Sequence, residues 1–156
     1  MSCTTPATAE HEPPKTLGRR REDARVVAFL CNWCSYAGAD KAGMNQLAVP
    51  PELTVVRVMC SGRVEPTLIL DAFRKGADGV MVLACHPGDC HYKEGNLRAY
   101  CRAELLQRMV PQLGIAPERF YFGYVSAAEA DRFSQLTGDF VAGIRALNAQ
   151  LDDERG

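Results

Sequence analysis

Four short apolar runs, separated by longer stretches of helical character, restrict this chain more than any other feature. They span Arg25 to Leu30, Leu53 to Met59, Gly79 to Ala84 and Phe120 to Val125, and three of them are nearly continuous in apolar residues. Runs of that kind read as strands buried on both faces, the mark of a parallel sheet covered by helices. Strands that alternate with helices are joined by crossover connections, which lay them parallel in one sheet. The expectation is an α/β fold: a single three-layer helix-sheet-helix domain with a mainly parallel sheet of about four strands.

The helices have readable ends. One spans Glu65 to Lys75, with Pro66 in its first turn and Gly76 just past its end, the usual placement of these residues. Another runs from about Asn96 to Leu113, carrying Leu97, Leu105, Leu106 and Met109 at helical spacing before Gly114 and Pro117 stop it. A third starts at Ser126, where Ser-Ala-Ala-Glu has the form of a capping box, and continues to about Leu151. A shorter helix is expected between Cys34 and Leu47, interrupted by Gly38 and Gly43. Residues 1–24 hold Pro6, Pro13 and Pro14 among polar residues with little to bury, and read as a disordered tail preceding a domain over 25–152.

The chain has 18 basic and 19 acidic residues, a formal charge of -1. That balance gives no field directed at nucleic acid or an acidic membrane, and leaves small molecules or proteins as partners. No apolar run follows the N-terminus, and Arg19 to Arg21 are followed by Glu22 and Asp23. The expected location is therefore the cytoplasm, without direct membrane contact. There, a chain with seven cysteines uses them as metal or redox ligands rather than in disulfides.

Five of those cysteines stand at or just beyond the ends of three predicted strands: Cys31 and Cys34 in LCNWCSY, Cys60 in VMCSGR, Cys85 and Cys90 in ACHPGDCHY. With the first strand between the second and third, neighbouring ends lie roughly 5 Å apart. The five thiols then share the carboxyl edge of the sheet, where folds of this class bind ligands. Soft thiolates gathered in this way suit an iron-sulfur cluster or a zinc ion, and five candidates compete for a site that usually takes four. A cluster with four thiolates is negatively charged, so amide groups at the helix starts after Cys34, Cys60 and Cys90 are suited to face it. Arg63 would add a positive charge nearby, or else stand in solvent. Trp33 would shield the cluster, pack on a partner or join the core. His86 and His91 read as supporting donors or loop residues. Cys101, mid-helix, and Cys3, in the tail, read as incidental. No catalytic residue stands out, and neither a G-x-G-x-x-G nor a phosphate-binding loop follows the first strand.

The stretches CNWCSYAGAD from Cys31, RVMCSGRVEP from Arg57, ILDAFRKGADGV from Ile69 and CHPGDCHYKEGN from Cys85 resemble the delta subunit family of methyl-viologen-reducing hydrogenases. The resemblance covers the chain from Val26 to about Arg98 and fades after Met109. It implies a [2Fe-2S] cluster on cysteines of these motifs, acting as a one-electron relay in a cytoplasmic complex of anaerobic metabolism. The implied partners are a hydrogenase or another electron-donating module and the flavin-containing subunit of heterodisulfide reductase. Some members of that family carry a further cysteine just before the CNWC motif, where this chain has Leu30.

Two other readings use the same residues. A thioredoxin-like C-x-x-C pair of Cys31 and Cys34 would make the chain a dithiol-disulfide oxidoreductase, leaving Cys60, Cys85 and Cys90 without a role. A zinc-stabilised interaction module would use the same thiolates without redox chemistry.

Overall fold

The computed structural model describes residues 24–153. The expected tail at 1–24 lies, but for Ala24, outside the described residues, as does Cys3. Four strands, β1 (Val26–Cys31), β2 (Leu53–Val58), β3 (Gly79–Ala84) and β4 (Phe120–Tyr124), form one sheet in the order β2-β1-β3-β4. Every pairing is parallel. Four helices connect and follow them: α1 (Ser35–Met44), α2 (Pro66–Arg74), α3 (Gly95–Met109) and α4 (Ala130–Asp153).

The alternation of side chains along the strands divides the core into two. Val26, Ala28 and Leu30 of β1 with Met81 and Leu83 of β3 pack against Ala42 of α1 and Phe133, Val141 and Ile144 of α4. Phe29 of β1 with Val80 and Val82 of β3 packs against Ile69 of α2 and Ala103 and Leu106 of α3. The three-layer α/β fold is thus as expected, with α1 and α4 on one face and α2 and α3 on the other.

Three details differ from the sequence reading. β2 is apolar but not buried: Val55 and Val56 are more than one-third exposed, because β2 is the sheet edge and pairs only with β1. α3 buries Asn96, Ala99, Ala103 and Leu106, while Leu97, Leu105 and Met109 face outward. Its small residues let the helix approach the sheet closely, and a 3-10 turn over Val110–Leu113 ends it where Pro111 withholds a donor. α4 begins at Ala130 rather than Ser126. The capping residues form the turn before it, with the Ser126 amide donating to Glu129 Oε2 at 2.7 Å.

Candidate metal centre

The central position of β1 decides where the thiols meet. Cys31 is the last residue of β1, in register with Val58 of β2, and Cys85 follows directly after β3. Between β1 and β3 the strand order reverses, which opens a crevice at the carboxyl edge. Cys34 precedes α1 and turns back into that crevice. Its sulfur lies 2.8 Å from Cys85 Sγ, and Cys31 Sγ lies 3.6 Å from Cys85 Sγ. All three sulfurs fall within 4.8 Å of one another and are almost wholly buried.

Cys60 and Cys90 occupy the adjoining position. Cys60 lies just beyond β2, ahead of a short 3-10 turn over Ser61–Arg63, and both cysteines are buried. Their sulfurs converge on the first residue of α3: a Cβ at Gly95 would overlap the Cys60 sulfur and lie 3.4 Å from that of Cys90. Gly62 is needed for the same contact, since its own Cβ would stand 2.8 Å from the Gly95 carbonyl oxygen. Arg102 Nη1 donates to the Gly62 carbonyl at 2.7 Å and ties the turn to α3.

Buried polar groups hold the edge in place. Ser35 Oγ accepts from the Cys31 amide at 2.8 Å and donates to the Leu83 carbonyl at 2.7 Å, bridging β1 and β3. Asn96 Nδ2 donates to the carbonyls of Cys85 (3.0 Å) and His86 (2.8 Å), fixing the loop that carries Cys85. His86 Nε2 pairs with Glu129 Oε2 at 2.7 Å, and this joins the same loop to the start of α4. None of these roles is visible in the sequence, because each depends on a neighbour that only folding supplies.

The thiols are electrostatically mismatched as they stand. Hydrogen bonds from Cys34 and then Cys85 hold the Cys31 thiol down to about 2, helped by the amides of Trp33 and Ser61. The same contact with Cys31 pushes Cys34 up to about 12, and contacts with Cys31 and Cys34 push Cys85 far upward. Burial raises Cys60, and the Gly62 amide opposes it. The three sulfurs therefore oppose one another's ionisation. All become thiolates together only around a cationic centre, which deprotonates its ligands outright. A soft metal centre fits this donor set, and the backbone donors at Trp33, Ser35, Ser61 and Gly62 suit its negative charge.

Trp33 is 46% exposed, stacks on His91 with ring centroids 3.9 Å apart, and donates from Nε1 to the Tyr92 hydroxyl at 3.4 Å. It lies at the surface rather than in the core. Arg63 is exposed and lines an open groove with Met59, Cys60, Tyr92 and Lys93. Cys101 is exposed on α3, away from the cysteine edge in sequence and not among the clustered thiols.

The family described as methyl-viologen-reducing hydrogenase, delta subunit, matches residues 26–148, which takes in the whole sheet and every clustered cysteine. The chain belongs to that family. Over 125 residues, 80% of the chain, it is 46% identical to the vhc iron-sulfur subunit of the F420-non-reducing hydrogenase of Methanococcus voltae, covering 87% of that protein. It is 48% identical over the same share to the iron-sulfur subunit of the F420-non-reducing hydrogenase of Archaeoglobus profundus, covering 91% of it. It also matches one subunit of the ferredoxin/F420H2-dependent CoB-CoM heterodisulfide reductase of Methanosarcina acetivorans, at 46% identity over 74% of the chain but only 15% of that larger protein. A segment of this family thus occurs both as a small protein of hydrogenases and within a larger heterodisulfide reductase chain. Among the described residues of this family member, no helix is long and apolar enough to cross a membrane.

Proposed function

We propose that this delta-subunit family member carries a [2Fe-2S] cluster on Cys31, Cys34, Cys60 and Cys85. In this role it relays single electrons from a hydrogenase or similar donor to the flavin-containing subunit of heterodisulfide reductase. The observation that carries the reading is the convergence of buried, unbridged thiols at the carboxyl edge of β1 and β3. Cys60 is taken as the fourth ligand because the residue before it, Met59, brings its carbonyl oxygen to 3.9 Å from the Cys31 sulfur, so the segment that carries Cys60 runs beside the trio. Cys90 is then a thiol beside the ligand set.

When bound, such a cluster supplies reversible uptake of one electron. The chain's own groups make that uptake favourable: amides of Trp33, Ser35, Ser61 and Gly62 face the ligand sulfurs and stabilise added negative charge. Ser35 and Asn96 keep the strand ends from shifting as the charge changes. The exposed Trp33–His91 stack and the groove beside Cys60 mark the side where redox partners approach. Partner identity follows the relatives, which include small hydrogenase proteins and a heterodisulfide reductase chain with this segment built in. The thiol-rich edge suits a reducing cytoplasm. Arg63, at the rim of the groove, contributes positive charge there.

The dithiol reading fits less well. A reactive C-x-x-C needs an accessible attacking sulfur, whereas Cys31 is 1% and Cys34 6% exposed, and Cys85 occupies the same pocket. Anaerobic purification followed by analysis of iron, zinc and acid-labile sulfide tests the proposal. About two irons and two sulfides per chain are expected; zinc without sulfide, or a metal-free dithiol, would refute it.

A further inference from the structure

Among the described residues, two buried side-chain oxygens have no hydrogen-bond partner. One is Glu52 Oε2, whose carboxylate is held through its other oxygen by Arg145. The other is Ser61 Oγ, on a residue with no exposed surface at all. A buried hydroxyl left unpaired is destabilising, and such a group in a native protein calls for a partner. The other buried polar residues near the cysteines meet this requirement: Ser35 and Asn96 have well-placed partners on the backbone.

The position of Ser61 names the missing partner. It follows Cys60 directly, and the Met59 carbonyl two residues before it lies 3.9 Å from the Cys31 sulfur, so this segment runs between two of the proposed ligands. The 3-10 turn that it opens packs against α3 and touches both β1 and β3, the strands that present Cys31 and Cys85. Ser61 itself has no exposed surface, and the turn it opens is held close to α3 where Gly62 meets Gly95.

We propose that the Ser61 hydroxyl donates a hydrogen bond to a sulfur of the bound iron-sulfur cluster and thereby raises its reduction potential. This role rests on the cluster reading above. The proton stays on Oγ in both redox states; the bond strengthens when the added electron makes the sulfur more negative, which favours the reduced form.

The test is an anaerobic redox titration of the loaded full-length chain and of Ser61→Ala, followed by electron paramagnetic resonance. Alongside it, pulsed measurements in heavy water count the exchangeable deuterons coupled to the reduced cluster. The alanine chain should take up an electron at lower potential, with a reduction equilibrium constant up to about tenfold smaller, or about 59 mV for one electron. It should also lose one coupled deuteron while keeping those of the backbone amides. Ser61→Thr should restore both. Because the potential is a property of each loaded cluster, a lower iron content in a variant does not prevent the comparison. Equal potentials and equal deuteron counts in wild type and Ser61→Ala would overturn the role, leaving the hydroxyl to an internal water. A wild-type chain lacking iron and sulfide would instead overturn the cluster reading itself.

Discussion

Cys31, Cys34 and Cys85 hang from the ends of β1 and β3, the two strands that helices cover on both faces, whereas Cys60 and Cys90 stand on loops gathered around the first residue of α3. The first group is positioned by the sheet itself, with Ser35 and Asn96 bracing the strand ends. The second group is positioned by one close backbone approach, Gly62 against Gly95, and by Arg102 reaching the Gly62 carbonyl. A site assembled this way has a rigid half that the core enforces and a second half that depends on two glycines. The second half is also the one that borders the open groove beside Arg63 and Lys93.

Replacing a ligand in the rigid half should have the largest effect. Cys85→Ser removes the sulfur that touches both Cys31 and Cys34, and the purified chain should lose nearly all its iron while circular dichroism stays unchanged. Retention of iron would move the site away from the β1–β3 crevice. Gly95→Ala comes next, because the new Cβ would overlap the Cys60 sulfur and force it aside. Cluster retention should fall on the order of tenfold, the usual effect of disturbing the support of a metal ligand, as measured by iron content after challenge with a chelator. Unchanged retention would mean that Cys60 is not held against α3.

The second half can be divided further by comparing Cys60→Ser with Cys90→Ser. The first should lower iron and sulfide content, and the second should leave both near the wild-type level. The reverse order would exchange the roles of the two thiols.

The smallest effect belongs to the link between the Cys85 loop and α4. The Ser126 amide and then His86 hold the Glu129 carboxyl down to about 2, from an ordinary value of 4.5. The stabilisation is therefore fully present above about pH 4.5 and is lost as pH falls toward 2. Both partners are about one-third exposed, so solvent screening reduces its size. Glu129→Ala should lower stability at neutral pH by about 1 kcal/mol, mainly through the lost bond from the Ser126 amide. In denaturant titrations the gap between variant and wild type should close near pH 2; a gap independent of pH would show that the carboxylate charge plays no part.

Much of this organisation is legible in the sequence. The four strands appear within a residue or two of their apolar runs, since β-branched runs bounded by turns leave little alternative. The cysteines are recognisable as a group because their distance from each strand end fixes which sheet edge they reach. The exposure of β2 is not legible, as nothing in Leu53 to Met59 says that no strand lies beyond it. The inward face of α3 also escapes a sequence reading, because Ala99 and Ala103 pack more closely than the larger Leu97 and Leu105, which hydrophobicity alone would bury. Ser35, Ser61, Gly62, Gly95 and Asn96 stand in plain view within the cysteine motifs. Their roles depend on contacts across the fold, such as Gly62 with Gly95, that no local pattern encodes.

The most direct test of the account is Mössbauer and electron paramagnetic resonance spectroscopy of the iron-57-labelled full-length chain, before and after reduction with dithionite. Iron is expected in a single thiolate-ligated pair that takes up about one electron per two irons. Iron in a four-iron cluster, or a chain with no iron that reduction does not change, would contradict it.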